Sequence, residues 1–399
     1  MPTLSTRGIR MPESPIRKLA PLANRAKAKG IKVYHLNIGQ PDIQTPEVAL
    51  EAMRTIDRKV LEYSPSEGLL SYRHKLTDYY RKFNICVDVE DIIVTTGGSE
   101  AVNFSFLACL DPGDEIIIHE PSYANYLAFA ISCGAVIKTI PSSIKDGFAL
   151  PPIQSFEELI TPKTKALMIC NPNNPTGYLY THEEMNLIRE LVKKYDLFLF
   201  SDEVYREFCY TGKPYVSAFH LEGIEQHVVM FDSVSKRYSE CGVRVGAIVT
   251  KNKPLRDNVL KWCQARLSPP LIGQIIAEAS IDAPAEYMSS VYNEFLQRRN
   301  FLIDRLNRIP GCFSPMPMGA FYTIASLPVD DADEFCAWCL RDFSYEGQTV
   351  MMAPASGFYS TEGYGKNEVR IAYVLNKQDL ANAMTVLEKA LEKFHSITN

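Results

Sequence analysis

Short apolar, β-branched runs alternate along the chain with amphipathic stretches of helical period. The runs that predict buried strands lie at 92–94, 115–118, 136–140, 166–170, 197–200, 228–231 and 245–249. Strands that alternate with helices usually form a mainly parallel sheet with helices on both faces. We therefore expect an α/β fold, with a large domain built around a mainly parallel, helix-covered sheet.

Start signals are visible for two of the helices. Thr45 precedes Pro46, which predicts a helix with Thr45 as its cap residue. Thr181 and Glu184 have the spacing of a capping box and predict a second helix start.

The pattern changes from about residue 273 onward. Long helical patterns cover 275–306 with a break near Pro284, and strands are predicted at 320–324 and 369–373, with a further strand at 33–37. We expect residues 46–285 to form the large domain. Residues 1–45 and 286–399 are expected to form a smaller, discontinuous α/β domain.

Composition narrows the class of protein. The 399 residues are 46% hydrophobic and 22% charged, and a chain of this length buries a core without disulfides or structural metals. The net charge of −5 gives no support for a nucleic-acid partner, and no apolar run is long enough to cross a membrane. The ten cysteines lack paired spacing, and Cys336 and Cys339 fall within a helical pattern, so we expect reduced thiols, no metal site and a cytoplasmic protein.

Polar or glycine-rich clusters follow five of the predicted strands. Their main members are Gly98, Ser99 and Glu100 after the first strand, then Tyr123, Asn174, Asp202 with Tyr205, and finally Ser233, Ser235 and Lys236. Open parallel sheets bind ligands at the carboxyl ends of their strands. Together the five clusters therefore predict one binding site.

The glycines at 97 and 98 open a predicted helix, where free backbone N–H groups suit a phosphate. Hydroxyl groups of Ser233 and Ser235 are further donors, and Arg244 could neutralise the same anion. Gly242 and Gly246 flank Arg244, and we expect both to allow close backbone approach. An ordinary glycine turn and a surface arginine are the alternatives.

Asp202 and Lys236 each follow a buried strand. A buried carboxylate needs a partner, and a protonated ring nitrogen would be one. Burial and Arg244 are both expected to lower the pKa of Lys236, which favours a neutral, nucleophilic amine. A solvated surface lysine is the alternative.

With these clusters the sequence resembles the class I aminotransferases of the aspartate aminotransferase superfamily, which are pyridoxal-phosphate enzymes of fold type I. The most specific pieces are NPNNPTG at 171–177, SDEVY at 201–205 and SVSK at 233–236, with Arg244 eight residues later. The resemblance implies pyridoxal 5′-phosphate as cofactor. It also implies ping-pong exchange of an amino group between an L-amino acid and a 2-oxo acid.

The resemblance also implies roles for single residues. Lys236 would bond to the aldehyde of the cofactor and later move a proton at the substrate α-carbon. Asp202 would pair with the pyridinium nitrogen, Tyr205 and Asn174 would bind the phenolic oxygen, and Tyr123 would stack on the ring. The residues implied as phosphate ligands are Gly98, Ser99, Glu100, Ser233, Ser235 and Arg244.

Substrate binding is implied for Arg370, which would clamp the α-carboxylate, and for Gly39 and Asn174 beside it. Tyr63 matches a tyrosine that reaches the phosphate from the neighbouring subunit, which implies a homodimer with shared sites. Ser99 stands where some bacterial aspartate-specific relatives have a lysine, which weakens an aspartate assignment.

Two alternative functions are compatible with the same sequence features. The same scaffold supports lyases that carry out β- or γ-elimination, because the cofactor supplies the shared chemistry. A cofactor-binding regulator without catalysis is the second alternative. The identity of the amino donor and of the 2-oxo acceptor stays open.

Overall fold

The computed structural model of the protein describes residues 2–398. Its helices are α1 (Thr6–Arg10), α2 (Ala20–Ala28), α3 (Glu47–Arg54), α4 (Leu70–Arg81), α5 (Gly97–Cys109), α6 (Asn125–Cys133), α7 (Ile153–Leu159), α8 (His182–Tyr195), α9 (Val234–Arg237), α10 (Lys253–Arg266), α11 (Leu271–Ser280), α12 (Ala285–Asn307), α13 (Ala332–Arg341) and α14 (Lys377–Thr398). Its strands are β1 (Lys32–His35), β2 (Ile92–Thr95), β3 (Glu115–Glu120), β4 (Val136–Pro141), β5 (Thr164–Cys170), β6 (Phe198–Asp202), β7 (Val228–Ser233), β8 (Gly246–Val249), β9 (Tyr322–Ser326), β10 (Gln348–Met351), β11 (Ala353–Pro354) and β12 (Glu368–Ala372).

Within residues 2–398, the main sheet has seven strands in the order β2-β8-β7-β6-β5-β3-β4. The two pairs that involve β8 are antiparallel, and the other neighbours are parallel. Each of the seven apolar runs is a strand of this sheet, so the predicted mainly parallel α/β fold is confirmed. Because β2, β3, β5, β6 and β7 share one direction, their carboxyl ends meet at one edge.

The central strands of the sheet are buried on both faces, which explains their runs of consecutive apolar residues. Along β3, Ile116 and Ile118 pack into the core that includes Phe106 of α5. Ile117 points to the opposite face and packs into the core that includes Ile188 of α8. Side chains in a strand alternate between faces, so a doubly covered strand needs apolar residues at every position.

The helix starts agree with the sequence at one site and differ at the other. Thr181 and Glu184 form the predicted capping box at the start of α8. At α3 the N-cap residue is Pro46, and the hydroxyl of Thr45 instead donates to the carbonyl oxygen of Ser239. The prediction that Thr45 caps α3 was therefore wrong, because a tertiary partner binds its hydroxyl.

The two ends of the chain pack together beside the main sheet. Strand β1 pairs in parallel with β10, and an antiparallel sheet has the order β11-β12-β9. One core joins residues from both ends, including Leu36 of the N-terminal segment and Phe295 of α12. The predicted helix break near Pro284 is confirmed as the boundary between α11 and α12, whereas β10 and β11 were not predicted.

Other sequence features have simple structural outcomes. Cys336 and Cys339 are buried on α13, which confirms that they are packed helix cysteines. Among the described residues, no helix is long and apolar enough to span a membrane.

Candidate active site

A cavity of about 790 Å³ lies at the edge where the carboxyl ends of the parallel strands meet. It brings together Gly39, Gly98, Ser99, Tyr123, Asn174, Asp202, Tyr205, Ser233, Ser235, Lys236, Arg244 and Arg370. All five strand-end clusters contribute to its wall. Their meeting follows from strand direction, since a parallel sheet carries successive carboxyl ends to the same side.

One part of the cavity is built for an anion. Gly98 and Ser99 lie in the first turn of α5, where backbone N–H groups are free of helical partners. The Ser233 hydroxyl donates to Ser235 Oγ at 2.9 Å, and both side chains line the wall. Arg244 also lines the wall, with its Nη1 donating to the Cys241 carbonyl oxygen at 3.0 Å.

Glycines make the close approach of Arg244 possible, but not the pair expected from the sequence. A Cβ at Gly97 would lie 2.3 Å from Arg244 Nη2, and one at Gly246 would lie 2.6 Å from the Gly97 carbonyl carbon. A Cβ at Gly242 would meet open space. The prediction was therefore right for Gly246 and wrong for Gly242.

Asp202, at the end of β6, is a buried carboxylate that faces the cavity. It accepts a hydrogen bond of 2.7 Å from Tyr126 Oη and a longer one of 3.4 Å from the Val204 N–H. No described Lys, Arg or His forms an ion pair with it. Burial raises the pKa of Asp202 to about 6, which is the expected state of a carboxylate that lacks a cationic partner.

Lys236 lies in α9 and its ammonium group donates to the Gly39 carbonyl oxygen at 2.8 Å. Burial lowers the pKa of Lys236, but the neighbouring Tyr322, Cys241 and Tyr123 outweigh burial and raise it above its ordinary value. The expected lowering was therefore wrong for the protein alone. The reason is that the sequence does not show which acidic hydroxyl and thiol groups surround the amine.

Arg370 lies in the middle of β12 and is 1% exposed. Its Nη1 donates to Asn174 Oδ1 at 3.0 Å and its Nη2 donates to the Asn37 carbonyl oxygen. Its Nε has no hydrogen-bond partner among the described residues, and burial lowers its pKa. A buried guanidinium without a carboxylate partner is a natural site for the carboxylate of a ligand.

Two tyrosines of the cavity were missed by sequence reasoning. Tyr126 Oη binds Asp202, and Tyr322 Oη lies 3.1 Å from Tyr205 Oη. A Cβ at Gly39 would lie only 1.6 Å from Tyr322 Oη, so Gly39 leaves room for that hydroxyl. Tyr126 follows a strand-end cluster and could have been suspected, whereas Tyr322 begins β9 and lies outside all five strand-end clusters.

Two predicted residues do not line the cavity. The Glu100 carboxylate accepts a hydrogen bond of 2.7 Å from the Thr96 N–H and lies 3.5 Å from Arg266 Nε. Tyr63 is 75% exposed and lies outside the cavity of its own chain.

Comparison with known proteins agrees with this geometry. The family model described as aminotransferase class I and II matches residues 31–387. The chain belongs to this family. It is similar to the aspartate aminotransferase of Bacillus subtilis, with 30% identity over 381 residues that cover 93% of this chain and 92% of the relative.

Solved structures of aminotransferases superpose over nearly the whole chain. The aspartate aminotransferase of Thermotoga maritima has a TM-score of 0.89 at 27% identity. The superposition covers 98% of this chain and 100% of the Thermotoga chain. The alanine aminotransferase of Pyrococcus furiosus has a TM-score of 0.88 at 30% identity with the same coverage. The first structure is named for aspartate and the second for alanine.

The protein is therefore a pyridoxal-phosphate-dependent aminotransferase that acts on an amino acid and a 2-oxo acid. The cavity fits the cofactor. It has an unpaired buried carboxylate at Asp202 for a cationic ring nitrogen, and it has an anion site of Ser233, Ser235 and Arg244 for a phosphate. It also presents the primary amine of Lys236, a group of the type that bonds to an aldehyde.

Proposed function

We propose that this cavity is where the amino group is exchanged, in two half-reactions that use the same side chains in turn. The observation that carries the proposal is the shared placement of Asp202, Lys236 and Arg370. All three face one cavity, and neither Asp202 nor Arg370 forms an ion pair with a described residue. Charges left unpaired in a protein interior are costly unless a ligand completes them.

The cofactor would be held by its ends. Gly98, Ser99, Ser233, Ser235 and Arg244 would bind the phosphate, with Glu100 contributing only through its backbone N–H. Asp202 would accept a hydrogen bond from the protonated ring nitrogen. Tyr205 and Asn174 would bind the phenolic oxygen, and Tyr123 would cover the ring face. When bound, pyridoxal phosphate supplies an electron sink for charge that develops at the substrate α-carbon.

Arg370 would hold the substrate, and Lys236 would transfer its proton. The Arg370 guanidinium would bind the α-carboxylate through its planar fork, with Gly39 and Asn174 beside it. Lys236 Nζ would remove the α-proton and later return a proton. Among the described residues, Lys236 is the one lysine that lines the cavity. Its contact with the Gly39 carbonyl oxygen already directs the amine toward this wall.

A panel of amino donors with 2-oxoglutarate as acceptor tests the reaction type. We expect formation of glutamate together with the 2-oxo acid of the donor. Release of ammonia and pyruvate without glutamate would instead assign elimination. The named relatives are aminotransferases, which favours transfer over elimination and over a non-catalytic regulator.

We also propose a homodimer in which Tyr63 reaches the phosphate of the neighbouring site. Tyr63 is 75% exposed, with Val60 at 68% and Leu61 at 63% beside it. The next residue, Ser64, is buried and donates to the Pro269 carbonyl oxygen at 3.1 Å. A rigidly anchored segment that presents an apolar, aromatic tip to solvent is typical of a subunit interface.

We also propose a division of the chain into two domains and a location for the protein. Residues 46–285 would form the large cofactor-binding domain, which includes the whole seven-stranded sheet. Residues 1–45 and 286–399 would form the smaller domain around β1 and β10. The ten cysteines are all unpaired, which supports a reducing compartment such as the cytoplasm.

A further inference from the structure

Arg17 is a cation of the cavity that the proposed function does not use. It lines the wall together with Ser14 and Ile16 of the N-terminal segment. Its side chain is exposed at the cavity and forms no hydrogen bond, ion pair or cation–π contact with any residue between 2 and 398. Neighbouring cations behave differently, since Lys18 is paired with Asp333.

The segment that carries Arg17 is held in place on both sides. The Arg17 N–H donates to the Ser14 carbonyl oxygen at 3.0 Å, and a Cβ at Gly357 would lie 2.4 Å from Pro15. Asn37 Nδ2 donates to the Ile16 carbonyl oxygen at 2.7 Å. The backbone at Arg17 is therefore fixed while its guanidinium remains free to bind a ligand.

The same segment is linked to the proposed carboxylate site. The carbonyl oxygen of Asn37 accepts from Arg370 Nη2, and the side-chain amide of Asn37 holds Ile16. One residue thus contacts both Arg370 and the backbone next to Arg17. A substrate bound at Arg370 would have Arg17 on the adjoining wall of the same cavity.

The charges of the cavity leave Arg17 unbalanced. The lining holds four cations, Arg17, Lys236, Arg244 and Arg370, but a single acid, Asp202. The cofactor phosphate would pair directly with Arg244, the substrate α-carboxylate would pair with Arg370, and Lys236 would bond to the cofactor. Arg17 then remains the only cation of this lining without an anion.

We propose that Arg17 binds the distal carboxylate of a dicarboxylic substrate, such as an acidic amino acid or its 2-oxo acid. The inference rests on the proposed function and names the substrate class of the same site. A guanidinium fork matches the two oxygens of a carboxylate.

Steady-state kinetics with two classes of acceptor test Arg17. The enzyme loaded with cofactor is assayed with 2-oxoglutarate and oxaloacetate, and with pyruvate and 2-oxohexanoate, which lack a distal carboxylate. Arg17→Met is expected to lower kcat/KM for the dicarboxylic acceptors by about 10- to 100-fold, the range for a hydrogen bond to a charged group. For the two monocarboxylic acceptors, kcat/KM should change by less than about twofold. With the dicarboxylic acceptors, kcat/KM of Arg17→Lys should lie between those of Arg17→Met and the wild type.

Arg10→Met is the matched control. Arg10 is also an exposed arginine of the N-terminal segment, but it does not line the cavity. We expect it to behave like the wild type with both classes. An equal loss for both classes in Arg17→Met, or no loss, would overturn the inference.

Equilibrium binding gives a second readout that does not depend on turnover. Titration calorimetry of glutarate against butyrate should show that Arg17→Met removes the preference for glutarate. O-phosphoserine as donor provides the phosphate arm, and a selective loss with that donor but not with glutamate would contradict the carboxylate assignment. Absence of transfer by the wild type with every donor would instead remove the proposed function itself.

Discussion

At the scale of single residues, the charge of Asp202 that would bind the cofactor also lowers the stability of the folded protein. Its pKa of about 6 lies above the ordinary value because the carboxylate is buried. A carboxyl group whose pKa is raised on folding stabilises the fold at low pH, and that stability is lost as the pH rises through the raised pKa. At neutral pH the protein therefore retains an unfavourable buried charge for its ligand.

Asp202→Asn removes this charge but keeps an oxygen for Tyr126. Without cofactor at pH 8, we expect the free energy of unfolding of Asp202→Asn to be up to about 3 kcal/mol larger than that of the wild type. This difference in unfolding free energy should shrink as the pH falls from 6 toward 4. The rate of amino transfer by Asp202→Asn should be roughly 10²-fold lower than that of the wild type. Urea denaturation at pH 4 and pH 8 measures this, and a difference that is the same at both values would contradict the account.

At the scale of secondary-structure elements, a buried ion network fixes the short helix α9 that carries Lys236. Arg237 donates to both oxygens of Asp232, at 3.0 Å and 2.7 Å, and Arg206 Nη1 lies 3.2 Å from Asp232 Oδ1. Burial alone would raise the pKa of Asp232, but Arg206 and Arg237 hold it well below its usual range. The stability from this pairing is therefore present at neutral pH and is lost only in strong acid.

Asp232→Asn would remove the carboxylate that two buried guanidinium groups share, leaving Arg206 with Glu203 alone and Arg237 with Glu207 alone. We expect it to lower the free energy of unfolding by about 3–5 kcal/mol. Asp330→Asn is the control, because Asp330 is exposed and belongs to no ion pair of the described chain. Thermal and urea unfolding of the two variants check the prediction, and equal stability would show that the network does not hold α9.

At the scale of the whole molecule, the proposed shared site makes Tyr63 and Lys236 complementary. A subunit with Tyr63→Ala keeps its lysine but deprives its neighbour of the tyrosine. A subunit with Lys236→Ala has a dead site but supplies Tyr63 to its neighbour. A heterodimer of the two would therefore contain one complete site.

Co-refolding the two variants in equal amounts tests this at limiting cofactor. Random pairing should give roughly a quarter of the wild-type sites, because half of the dimers are mixed and each has one complete site. The separate variants should show far less activity under the same conditions. If Tyr63 acts within its own subunit, the mixture will do no better than diluted Tyr63→Ala.

Much of this organisation could be predicted from the sequence, because strands at the centre of a sheet are apolar at every position. The five clusters after β2, β3, β5, β6 and β7 mark the edge where the cavity lies. The pKa of Lys236 could not be predicted, because it depends on Tyr322, which lies 86 residues away in sequence. The antiparallel direction of β8 also has no local signal, since hydrogen bonding alone distinguishes it.

Arg17 illustrates the same limit from the other side. Its sequence context resembles that of Lys18, and only the fold shows that one is paired with Asp333 while the other faces the cavity. Tertiary contact therefore decides which of two adjacent cations is available to a ligand.

The central claim is that Lys236 moves the proton in amino transfer, and single-turnover transfer by Lys236→Ala tests it most directly. Purified Lys236→Ala and the control Lys213→Ala, an exposed lysine outside the cavity, are loaded with cofactor and mixed with donor. We predict that Lys213→Ala transfers at the wild-type rate, whereas Lys236→Ala is slower by at least roughly 10²-fold and lacks the visible absorbance of lysine-bound cofactor. Transfer by Lys236→Ala within a few-fold of the wild type would contradict the account.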